Sequence, residues 1–206
     1  MKRILFVAAV VLTLAACSST KVTSSWKAPS GPTHFNKIMV DALLPDAEKN
    51  LRPIIESELV KALQDKGINA VSSYQLLGPA DMGANDKVVL KKFKGNGADA
   101  VLTVVLLNKD KERNYVPGSL DYAPYGPFYG GFHGYYGFLY NRVYTPGYYV
   151  TSSNYFWESN LYSIASGKLQ YSVQSETFDP TSAQNLATGY GKKVADDMQK
   201  QGLTGK

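Results

Sequence analysis

Few residues of this 206-residue chain are spaced for chemistry. Catalysis needs groups whose position and pKa are tuned to each other. The two histidines, His34 and His133, lie far apart, and neither has a partner at zinc-ligand spacing. Ser163-Ile164-Ala165-Ser166-Gly167 has the look of a nucleophile elbow but lacks its first Gly. It also falls in a hairpin turn rather than between a strand and a helix. Gly189-Tyr190-Gly191-Lys192-Lys193 has some of the letters of a phosphate loop, with the wrong spacing and no strand before it. Asp41 interrupts an apolar run and would have a raised pKa if buried there; a strand-end Asp facing solvent is the expectation. These residues predict no catalytic centre, no metal and no cofactor, and so a protein that is not an enzyme.

One stretch is suited to binding. Pro117 to Tyr149 holds nine Tyr, seven Gly and four Pro, with Asp121, Arg142 and His133 as its few polar ionisable groups. Tyr joins a large apolar face to a polar tip at little rotamer cost, which suits sugar faces, protein partners or a membrane interface. The candidate binding surface is Tyr122, Tyr125, Tyr129, Tyr135, Tyr136, Tyr140, Tyr144, Tyr148 and Tyr149. A loop of this length without regular structure is uncommon in a compact domain. A low-complexity loop over the domain, a protein or polymer contact and a membrane contact all fit its composition.

The elements that must position this surface follow from periodicity. Lys37 to Leu44 is a compact apolar run and reads as a buried strand. Leu51, Ile54, Ile55, Leu59, Ala62 and Leu63 form one helical stripe, with Glu56, Glu58 and Lys61 expected on its flanks and far side. Pro53 places the helix start near Asn50, and Gly67 stops it. Ile68 to Tyr74 is a second strand. Asn85 or Asp86 caps a short helix to about Lys94, with Val89 and Phe93 one turn apart. Ala98 to Leu107, Val-rich and nearly unbroken, has the signature of a central strand covered on both faces. Asn108 to Asn114 is charged and predicts a strand running out into solvent.

Beyond the Tyr-rich stretch, Ser153 to Ile164 and the alternating Leu169 to Thr177 form a hairpin about Ser166-Gly167. Thr181 and Gln184 fit a capping box for a last helix, whose core face is Leu186, Tyr190, Val194 and Met198. Gly189 and Gly191 weaken that helix unless close packing against the sheet requires them. The predicted fold class is α/β (α+β): β-α-β-α-β, then an antiparallel hairpin and a C-terminal helix. That makes one mixed sheet of about five or six strands with three helices.

The N-terminus sets where this domain works. Lys2 and Arg3 precede an uncharged, mostly apolar run from Ile4 to Ala16. Thirteen helical residues rise about 20 Å, short of the roughly 30 Å hydrocarbon core, so the run reads as a secretory signal rather than a span. Leu14-Ala15-Ala16-Cys17 resembles the lipobox of bacterial lipoproteins. The resemblance implies cleavage before Cys17, a diacylglycerol on its thiol and an acyl chain on its new amino group. The anchor therefore includes palmitate-type chains. Ser18, where an Asp would favour inner-membrane retention, implies an outer-membrane anchor facing the periplasm.

The expected organisation is a signal peptide at 1–16, a lipid-anchored tether at 17–36 and one α/β domain at 37–203 with the insertion at 117–149. Within the tether, the alternation of Val22, Ser24 and Trp26 leaves room for a short edge strand, and Trp26 is expected to pack. Removing the signal lowers the net charge from +5 to +3, too mild to argue for nucleic acid. Cys17 is the sole Cys, so no disulfide supports the fold.

The mature chain resembles the small, mostly uncharacterised α/β lipoproteins of the cell envelope. The helix from Leu51 to Gly67, followed by Ile68-Asn69-Ala70-Val71, is similar to the βαβ unit of curli-secretion-type and Tol-type periplasmic domains. These resemblances imply a non-catalytic envelope protein that acts in assembly or integrity through protein contacts. The alternative is a glycan- or peptidoglycan-binding module using the Tyr-rich segment. The expected partners are the membrane, through the lipid, and envelope proteins or peptidoglycan.

Overall fold

The computed structural model describes residues 19–77, 85–116 and 148–203. The proposed signal, Cys17 and most of the Tyr-rich segment lie outside these residues. The chain divides into two compact units, one formed by residues 1–110 with 154–206 and the other by Lys111–Ser153.

The larger unit carries the fold. Its elements in chain order are β1 (Thr20–Lys27), β2 (Ile38–Leu43), a 3-10 turn (Asp46–Leu51), α1 (Arg52–Asp65), β3 (Ala70–Ser72), α2 (Asp86–Gly95), β4 (Ala100–Val116), β5 (Tyr148–Ser163), β6 (Leu169–Phe178) and α3 (Ala183–Lys200). Residues 111–116 of β4 and 148–153 of β5 belong to the smaller unit. The mixed six-stranded sheet has the order β1-β6-β5-β4-β2-β3. β2 runs parallel to β3 and to β4, with Ile38 opposite Ala70 and Ala100, while β6 is antiparallel to β1 and β5. This is the expected fold class, with β-α-β-α-β first and the hairpin and last helix after it.

Alternation along β2 explains the layering. Ile38, Val40 and Ala42 face the main core, where α1 and α3 pack with Leu102, Trp157, Leu161 and Tyr171. Met39 faces the other side, packing with Leu77, Phe93, Ala98 and Val101 beneath α2. β2 and β4 are therefore covered on both faces, as their unbroken apolar runs require. Among the described residues, the helix on the second face is α2, ten residues long.

Local signals account for most element ends. Asn85 caps α2 by accepting from the Lys87 N–H at 2.9 Å. Pro53 sits in the first turn of α1, which starts at Arg52 after the 3-10 turn. Gly167 turns the β5–β6 hairpin at φ +66°, a conformation that favours glycine.

Three expectations are corrected here, the α3 cap, the neighbour of Gly191 and the packing of Trp26. The cap of α3 is Ser182, whose hydroxyl accepts from Asn185 N–H at 3.0 Å, one residue beyond Thr181. Gly191 approaches α1 rather than the sheet: a Cβ there would lie 3.0 Å from the Glu58 carbonyl oxygen, so this helix pair meets backbone to backbone. Thr20–Lys27 forms the edge strand for which the alternation of Val22, Ser24 and Trp26 left room, and its Ser25 donates to Asp197 of α3 at 2.6 Å. Trp26 on that strand is exposed rather than packed.

Candidate functional site

Two places in the described residues merit a functional reading, one in each unit. The first lies in the smaller unit, where β4 and β5 continue toward the Tyr-rich segment. Seven of the nine candidate tyrosines, Tyr122 to Tyr144, fall outside the described residues. Tyr148 and Tyr149 are described, and both are exposed on β5. Tyr115 on β4 joins them, a residue that sequence reading left out because it precedes the Gly- and Pro-rich stretch. The Tyr115 and Tyr149 rings stand 5.1 Å apart and tilted by 54°. The Arg113 guanidinium lies 4.2 Å from the centroid of Tyr149. Both rings remain more than half exposed, at 55 % and 59 %. The result is an aromatic ledge on strand backbone. The cation fixes one ring by its attraction for the π face and leaves exposed apolar ring surface with hydroxyl donors at its rim.

The second place lies in the larger unit, at the C-terminal ends of β2 and β3. Asp41 is only 6 % exposed, so it does not face solvent as expected. Its Oδ1 accepts from Arg52 Nη2 at 2.9 Å and from Ser73 Oγ at 2.8 Å. Arg52 Nε donates to Glu56 Oε1 at 2.9 Å, one helical turn on. Glu56, expected on the flank of α1, is fully buried on its inner side. The reason is backbone satisfaction. Its carboxylate accepts from the Ala42 N–H at 3.0 Å and the Tyr74 N–H at 2.9 Å, donors that the ends of β2 and β3 leave over. Ser72 also donates to Glu56, and Arg52 lies 5.8 Å from the Tyr74 ring.

Burial pushes the Asp41 carboxyl above its ordinary range. The Ser73 hydrogen bond and the Arg52 charge oppose that rise, while the Glu56 charge adds to it. Ser73 touches two carboxylates but is fully buried, which makes it a structural link rather than an accessible nucleophile.

Beside this network, the second sheet face and α2 border a cleft of about 930 Å³. Asp41 lines it, and Leu77, Val89, Phe93, Val101 and Ile164 supply apolar wall.

The other sequence candidates have structural roles. Ser163 and Gly167 close the β5–β6 hairpin through Gly167 N–H to the Ser163 carbonyl at 2.8 Å. Gly189 to Lys193 lie in the interior of α3, with no loop to cradle a phosphate. Among the described residues no cluster of His, Cys, Asp and Glu has a metal-binding arrangement, and no helix is long and apolar enough to cross a membrane.

No family model and no curated protein matches the chain. Some solved structures are similar to it at low identity. A PelC dodecamer from Paraburkholderia phytofirmans is 16 % identical with a TM-score of 0.47, covering 87 % of this chain and 97 % of that one. The lipoprotein GNA1162 from Neisseria meningitidis is 13 % identical with a TM-score of 0.41, covering 80 % and 98 %. A putative neuraminyllactose-binding hemagglutinin homolog from Helicobacter pylori is 10 % identical with a TM-score of 0.38, covering 84 % and 87 %. With scores below one-half, these likenesses leave function to be argued from the residues.

Proposed function

We propose that this chain is a non-catalytic binding protein of the bacterial cell envelope, held at the outer membrane by lipid on Cys17 and facing the periplasm. Its aromatic ledge and the adjoining Tyr-rich segment bind the glycan strands of peptidoglycan. The observation that carries this reading is the exposed Tyr115–Tyr149 pair with Arg113 set against it. Flat aromatic faces stack on the apolar faces of sugar rings, while tyrosine hydroxyls and a guanidinium supply donors at their edges.

Titrating the full chain with muramidase-solubilised peptidoglycan should quench tyrosine fluorescence. The paired change Tyr115→Ala and Tyr149→Ala should weaken binding about tenfold or more, as truncating central aromatic anchors does. Binding unchanged in the double variant would refute the ledge as the contact. Exposed Tyr148 and Val150 beside it favour a second reading, contact with envelope proteins in assembly or integrity. Cross-linking at Tyr148 to a protein, with no response to glycan, would establish that reading instead.

The anchor is tested separately. Two or more acyl chains hold a protein durably on a bilayer, since each buried methylene contributes about 0.8 kcal/mol. Cys17→Ala should therefore shift the chain from the membrane fraction to the soluble fraction on cell fractionation. A variant recovered with membranes as fully as the parent would contradict lipid anchoring.

A further inference from the structure

The cleft under α2 has the size and the lining of a small-molecule site. Its roughly 930 Å³ falls in the upper part of the range such sites occupy, about 300–1,000 Å³. Its walls are mostly apolar, and its buried polar end is Asp41.

The hydrogen bonding at Asp41 is unfinished on the cleft side. Both donors that reach it, Arg52 and Ser73, fall on Oδ1. Among the described residues no donor reaches Oδ2. The charges are also unequal. Arg52 is the one cation shared by Asp41 and Glu56, so the ionised trio holds a net charge of −1. Glu56 is fully engaged by Arg52 and by backbone and hydroxyl donors. The unmatched acceptor is therefore on Asp41. Around the rest of the cleft Asp46 and Asp86 outweigh Lys49, so the lining repels a carboxylate or phosphate as a whole.

We infer that this cleft binds a small amphipathic amine, its ammonium donating to Asp41 Oδ2 and its apolar body lying along Val89, Phe93, Val101 and Ile164. A charge-assisted hydrogen bond at a desolvated carboxylate fixes the ligand's orientation, and apolar burial holds the rest of it. This site lies in the larger unit and does not depend on the glycan reading.

The test uses the full lipidated chain in nanodiscs and three probes of nearly equal shape: tryptamine, the neutral alcohol tryptophol, and the anion indole-3-propionate. Calorimetry at neutral pH should show saturable binding of tryptamine, about tenfold weaker binding of tryptophol, and the weakest binding for the anion. Asp41→Asn should remove the preference of tryptamine over tryptophol. Because Asp41 also supports the fold, Leu90→Lys provides an independent check. Leu90 lines the cleft and is 39 % exposed, so a lysine is tolerated there and offsets part of the negative charge of the lining. It should weaken tryptamine and strengthen indole-3-propionate. No saturable binding of tryptamine, an anion bound as tightly as the amine, or an unchanged preference in both variants would overturn the inference.

Discussion

Arg52→Met is expected to lower the unfolding free energy by about 3–5 kcal/mol at neutral pH, the usual cost of removing one partner from a buried ion pair. Methionine fills much of the space, so the loss is mainly electrostatic. Arg52 is the cation against which both Asp41 and Glu56 are buried, and without it two carboxylates share a desolvated site. Glu56 cannot be released, because the Ala42 and Tyr74 N–H groups depend on it. The remaining remedy is protonation.

The deficit should therefore shrink as pH falls, and urea melts of parent and variant at pH 7 and pH 5 would show it. An equal deficit at both pH values would sink the charge account. The parent has the same sign in milder form. Burial raises the folded pKa of Asp41 above its ordinary 3.8. Its contribution to stability is therefore fully present below that value and lost as pH rises through the folded pKa. Asp41→Asn should flatten this part of the pH profile.

Trp157→Ala should cost about 3–5 kcal/mol, as for other fully buried aromatics truncated in a core. Trp157 is wholly enclosed between the sheet and α3, with the Tyr190 ring 5.3 Å away and the Tyr155 ring stacked at 6.3 Å. Tyr190 is itself buried and shares a hydrogen bond with Ser159, so the cavity has no free group to collapse into it. Trp157→Phe should cost much less. The indole Nε1 has no hydrogen-bond partner among the described residues, and so phenylalanine gives up ring volume without breaking a polar contact. Thermal melts of the two variants separate these cases. Equal losses in both would mean that the indole nitrogen is engaged after all.

Much of the fold was legible because burial on one element has a period of its own. The α3 face of Leu186, Tyr190, Val194 and Met198 is buried as its four-residue recurrence predicts. The alternation of Tyr171, Val173, Ser175 and Thr177 on β6 is likewise the buried face of that strand. The charged run from Asn108 to Asn114 does continue β4 as strand. Where the reading failed, the competing demand came from another element. The apolar stripe of α1 puts Glu56 on a flank, whereas its position is set by strand-end N–H groups that periodicity cannot register.

The sequence by itself determined the elements, their types and the aromatic enrichment near the β4–β5 connection. Those follow from local spacing, which composition and side-chain period report directly. Only the tertiary structure decided the strand order and the gathering of Asp41, Arg52, Glu56 and Ser73 at one sheet end. It also decided the pairing of Tyr115 with Tyr149. These residues come from separate segments, and no local pattern states which backbone donors a fold will leave unpaired or where a short helix and a sheet face will border a cleft. The buried charge network and the cleft both arise where such segments meet.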